Sequence, residues 1–176
     1  MSNTQAYFGQ KRGFPLLSKE NISEMFPTFS VSEAMSKLAS HSYLPSHYPE
    51  NNELACSLKD KLLSIGGTRI IMPMEDEDLE KTVSRGQFWM GSSAMMQKGL
   101  PSQCHMNSAR LYMANKDKVR ICTGYALSSD GIWRMHSWGI WTKARSNKIV
   151  ETTVKRVLYY GFVMTPEECE EFAEWY

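Results

Sequence analysis

The chain has 176 residues, with 20 Lys+Arg against 19 Asp+Glu and a formal charge of +1. That length suits one domain with a real core and is short for two, and a content of 42% hydrophobic and 11% aromatic residues excludes wholesale disorder. The near balance of charge argues against a protein that grips phosphate backbones, so nucleic acid is not an expected partner. No run approaches the roughly 20 apolar residues of a membrane-spanning helix, so no membrane partner is expected either.

The opening Met1–Tyr7 lacks the charged-then-apolar run of a secretory leader. The four cysteines, Cys56, Cys104, Cys122 and Cys169, are scattered, with no paired spacing. Free thiols in a reducing cytosol are expected, whether the protein's own or that of a cell into which it is delivered.

Residues 1–50 read as irregular, punctuated by Gly and Pro, with one short helix at Val31–Ser40. Asn51-Asn52 caps a clearer helix, Glu53–Ile65, which Gly66-Gly67 stops. Thr68–Met74 reads as a strand and Glu75–Ser84 as an acidic, solvated helix. A helix over about Cys104–Asn115 follows, with Met106, Ala109 and Met113 at core spacing. Val119–Leu127 alternates as a strand does, Ser128-Ser129-Asp130-Gly131 turns it, and Ile132–Trp141 returns. Further strands are expected at Lys148–Val154 and Val157–Met164, and Thr165-Pro166 opens a closing helix. The order predicts one α+β domain: residues 1–99 helical and cleft-forming, residues 100–176 a core of a helix packed on about four antiparallel strands.

Three residues stand out. Cys104 starts a helix, where backbone N–H groups and the dipole favour the thiolate. His136 lies mid-strand, and imidazole is the side chain suited to proton transfer near neutrality. Glu151 interrupts an apolar strand, where a carboxylate is costly to bury unless paired. A hairpin loop Thr142–Arg145 pairs Trp141 with Ser146 and, in the same register, sets His136 directly opposite Glu151, with Cβ atoms about 4.5–5.5 Å apart. An even-length loop in the first hairpin puts His136 on the face of Thr123 and Tyr125, the one a helix covers. Nucleophile, base and orienter then form a triad. Cys56, Cys122 and Cys169 read as small buried hydrophobes. His105, about 100° from Cys104 around the helix, is expected to be exposed or merely supporting. No ligand spacing suggests a metal. Met90, Met95 and Met96 read as gap-filling core.

Cys at a helix start, then His and an acid on adjacent antiparallel strands, resembles the core of the papain-like superfamily of proteases, transglutaminases and NlpC-type amidases. The resemblance covers Leu100–Met164 and rests on order and topology. Papain's signature around its cysteine is absent, the chain reading Ser102-Gln103-Cys104-His105-Met106-Asn107. The stretches Cys104–Ser108, Asp130–Trp133, His136–Trp138, Glu151–Thr153 and Tyr159–Gly161 are also similar to uncharacterised bacterial and phage proteins. The superfamily implies Cys104 as nucleophile, His136 as general base and Glu151 as orienter. The Cys104 N–H is one oxyanion donor; Gln97, upstream as in papain-type enzymes, is a second, with Gln103 and Asn107 competing. Trp133, Trp138 and Asn107 are expected to wall the cleft. The expected activity is that of a thiol-dependent hydrolase or acyl transferase (protease, deamidase or transglutaminase-like) on a protein or peptide-like substrate, without cofactor. The alternative is a non-enzymatic binding or inhibitor protein of host–pathogen or phage–host conflict.

Overall fold

The computed structural model describes residues 51–73, 75–143 and 148–176; the helix expected at Val31–Ser40 lies outside them. The described chain is α+β. Helix α1 spans Glu53–Ile65 as its caps require: the Asn52 side chain accepts from Ala55 N–H at 3.1 Å, and Gly66 N–H donates to Leu62 at 3.1 Å. Strand β1, Arg69–Ile71, is shorter than expected, and α2, Leu79–Arg85, begins later. Strand β2 (Gln87–Met90), a 3-10 turn (Gly91–Ser93) and β3 (Met95–Met96) follow. Helix α3 is Cys104–Ala114, β4 Val119–Leu127, β5 Ile132–Trp141, β6 Lys148–Glu151 and β7 Leu158–Val163. Helix α4, Pro166–Trp175, opens with a complete Thr165/Glu168 capping box.

The sheet has seven strands among the described residues, not about four, and it is mixed. Its order is β2-β7-β4-β5-β6-β3, with β1 also on β5. The chain before residue 100 therefore supplies three strands and is not simply helical. Both β1–β5 and β3–β6 are parallel pairs. One edge of β5 is shared: Ile132–Arg134 pairs with β1 and Gly139–Trp141 with β6. Between them, Met135–Trp138 has no strand partner on that side, and His136 lies in the gap.

One face of the sheet carries the helices. Leu58, Leu62 and Ile65 of α1 pack on Tyr125, Leu127 and Trp133, while Tyr112 of α3 and Cys169 of α4 meet Ile121 and Phe162. Each fully buried large apolar side chain here contributes about 1.5–3 kcal/mol. The other face closes around Trp138, with Cys122, Ala126, Ile140, Ile149, Tyr159 and Ala94.

Two registers differ from expectation. Leu127 pairs with Trp133, so the first hairpin connection, Ser128–Ile132, is odd in length. Gly131, at φ 78°, takes the left-handed turn position that adds the extra residue. An odd count reverses parity: His136 stands opposite Gly124, on the face of Cys122 and Ala126, away from the helices. In the second hairpin Trp141 pairs with Lys148 and not Ser146. That slip of two residues preserves faces, so His136 and Glu151 become diagonal neighbours and not direct ones.

Glycines make room on the inner face. Gly124 (φ 152°) pairs with both His136 and Gly161. A Cβ on Gly161 would run into the Thr123 carbonyl and lie 2.9 Å from the Trp138 ring. Gly161→Ala should lower stability by about 1–3 kcal/mol, since overpacking forces backbone shifts. A thermal midpoint unchanged from the parent would show that this face has slack.

Candidate active site

Three elements deliver three side chains. Cys104 is the first residue of α3, and the segment before it is fixed from two sides. Gln97 N–H donates to Glu151 O at 2.9 Å, and Gly99 N–H to Thr152 O at 2.7 Å. The buried Asn107 side chain then clamps Leu100, accepting from its N–H at 3.0 Å and donating to its carbonyl at 2.7 Å. The strand that carries Glu151 thus also anchors the loop that carries the thiol.

His136 Nε2 lies 2.8 Å from Glu151 Oε2, with His136 only 2% and Glu151 0% exposed. With Nε2–H given to the carboxylate, Nδ1 is the nitrogen left to exchange a proton. Glu151 is fully occupied: Oε2 also accepts from Tyr159 O–H at 2.8 Å, and Oε1 accepts from Thr153 N–H at 2.8 Å and Thr153 O–H at 2.9 Å. Burial works against its charge, but the His136 imidazolium and these donors hold its carboxyl well below the usual range. Burial works against a charged His136 too, and Cys104 and Glu151 outweigh it, raising its pKa. The Trp138 ring is stacked against His136, centroids 6.2 Å apart and 18° from parallel.

Burial alone would push the Cys104 thiol up. Hydrogen bonding to His105 and His136, with the positive charge of both, brings its pKa down to about 5. His105, expected to be exposed or merely supporting, thus bears directly on the Cys104 thiol. Its Nδ1 is 2.7 Å from Ser137 Oγ. Ser137 donates to Thr123 at 3.1 Å, so it accepts from His105 Nδ1–H. The His105 ring stacks on Tyr176, centroids 5.4 Å apart and 19° from parallel. Consecutive residues of α3, Cys104 and His105, meet consecutive residues of β5, His136 and Ser137. His136 and Ser137 point to opposite faces of β5, so the two side chains at the start of α3 meet both faces.

Other expectations need correction. Trp133 and Trp138 are both 0% exposed and cannot wall a cleft; Trp133 Nε1–H donates to Gly66 O at 2.7 Å and ties down the end of α1. The Asn107 side chain is held on Leu100 by its oxygen and one of its two N–H groups. Gln103 sits at the N-cap without a capping hydrogen bond, and Gln97 is exposed; neither side chain makes a hydrogen bond among the described residues. Met95 and Met96 are 41% and 43% exposed on the edge strand β3, not core. Glu75 and Glu77 precede α2 and, with Asp78, face His105, Phe172 and Tyr176 across a cleft of about 490 Å³.

Among the described residues, no group of three or more His, Cys, Asp or Glu is placed to hold a metal ion, and no helix is long and apolar enough to cross a membrane. Compared with family models, with curated proteins and with solved structures, the chain matches none.

Proposed function

We propose that the protein is a thiol-dependent hydrolase or acyl transferase, papain-like in the order and roles of its site, acting on an amide, thioester or ester carbonyl. The observation that carries this reading is a buried imidazole held at 2.8 Å by a buried carboxylate, beside a thiol at a helix start whose pKa His136 helps to lower. The Cys104 thiolate attacks the carbonyl carbon, forming a C–S bond and shifting the π pair onto oxygen. Collapse of that adduct expels the leaving group, which takes its proton from His136. Water or an amine then gives its proton to His136 and attacks the thioester, releasing product and restoring the thiolate. Glu151 keeps the imidazole oriented and stabilises its charged form throughout. The Cys104 N–H, at the first turn of α3, is the donor best placed for the oxyanion.

p-Nitrophenyl acetate tests this without knowledge of the natural substrate. The parent should release a burst of p-nitrophenolate close to one equivalent and carry an acetyl group on Cys104 by peptide mass spectrometry. Cys104→Ala should show neither, and His136→Ala should slow the burst by roughly 100-fold. A folded parent with no burst and no acetyl adduct would leave a binding protein as the better reading.

A further inference from the structure

A second cleft, of about 430 Å³, lies along the other flank of α3, between the 97–100 segment, Arg110 and Thr152. That is the size of a small-ligand site. No carboxylate lines it. Arg110 and Lys98, both exposed, contribute two positive charges to its wall, and neither has an ion-pair or hydrogen-bond partner among the described residues. Some cations elsewhere on the molecule are matched: Arg85 with Glu168 at 2.7 Å, Lys116 with Glu170 at 2.7 Å, Arg134 with Asp130 at 2.7 Å.

The independent observation is Thr152. It lines this cleft, is 2% exposed, and its Oγ1 has no hydrogen-bond partner, although its carbonyl is satisfied by Gly99 N–H at 2.7 Å. A buried hydroxyl without a partner is destabilising. Here it lines the same cleft as two unmatched cations, in a wall held by the Asn107 clamp on Leu100. A hydroxyl donor with a guanidinium and an ammonium is the donor set of an oxyanion site.

We propose that this cleft binds the oxyanion group, carboxylate or phosphate, of a small polar ligand, with Arg110 and Lys98 supplying charge and Thr152 a neutral donor. The inference is independent of the acyl-transfer reading, since it needs no turnover at Cys104. Calorimetric titration with inorganic phosphate and, separately, with succinate at fixed ionic strength tests it. Saturable binding of either supports the proposal, and the one that binds identifies the group. Arg110→Gln and Lys98→Gln should each weaken that binding at least tenfold, while Lys143→Gln should not change it. Thr152→Val is the sharper variant: losing an unsatisfied hydroxyl should leave the thermal midpoint equal or higher, yet weaken binding several-fold. Failure of the parent to bind either probe, or binding undiminished in both Arg110→Gln and Thr152→Val, overturns the proposal.

Discussion

Brief iodoacetamide treatment of the native protein at about pH 6 should modify Cys104 and leave Cys122 and Cys169 untouched. The last two are 0% exposed and burial raises both thiols, so neither access nor thiolate is available. Cys104 combines partial exposure with a pKa near 5. Its labelling rate should therefore climb through about pH 5 and then level off, whereas an ordinary thiol keeps gaining reactivity toward its pKa of about 8.5. His136→Ala removes one of the two imidazoles that stabilise the thiolate, so the midpoint should move upward and labelling at pH 6 should fall by at least roughly tenfold. His105→Ala should move it in the same direction. Equal labelling of all four cysteines, or a Cys104 profile rising without a plateau to about pH 8.5, would remove the basis for a catalytic thiol.

Glu151→Gln should be the most destabilising single-atom change in the site, at about 2–4 kcal/mol. Four donors converge on the carboxylate. A carboxamide offers one oxygen and brings two N–H donors of its own, so at least one of Tyr159, Thr153 and His136 faces a donor where it had an acceptor. The charge supporting the imidazolium also disappears. The pH dependence follows from the two shifts. The carboxyl of Glu151 is depressed, so its contribution is complete above the ordinary value of 4.5 and drains away as pH falls toward about 2. His136 is raised, so its contribution is complete below 6.5 and is lost as pH rises through the elevated value. The stability gap between parent and variant should thus be widest between these ordinary values and shrink on both sides. Urea unfolding across pH measures it; a gap that does not vary would mean that the pair carries no charge in the fold. On the proposed acyl-transfer reading some turnover should survive in this variant, because an orienter contributes less than a nucleophile.

Elements whose boundaries are chemical were legible in the sequence. Asn52 and Thr165 cap helices through side-chain oxygens, and the alternation in Val119–Leu127 reports the faces of β4 directly. Gln87–Met90 carries no alternation, and Met95–Met96 is too short for any period to appear, so the strands they form were invisible. Cys104, His136 and Glu151 were singled out through residue type and chain order, and their faces were argued from loop lengths that sequence does not fix. The two hairpin errors differ in kind. Gly131 adding a residue moves His136 to the other face, whereas the two-residue slip of β6 keeps the pair together and only tilts it. His105 was discounted by helical angle alone, which takes no account of successive strand residues, His136 and Ser137, that offer partners on opposite faces. Thr152 gave no sequence signal, since an unsatisfied hydroxyl exists only relative to its neighbours.

The pairing of β1 with β5, β2 with β7 and β3 with β6 also bears on when the site is assembled. Each early strand waits for a partner made much later, so contact order is high and the sheet closes late in folding. During synthesis Cys104 leaves the ribosome before His136, and both precede Glu151 and Tyr159. Until that last segment emerges, the loop before Cys104 has no β6 to lie on, and His136 lacks the carboxylate that supports its charge. Cys104, His136 and Glu151 therefore come together only as the sheet is completed.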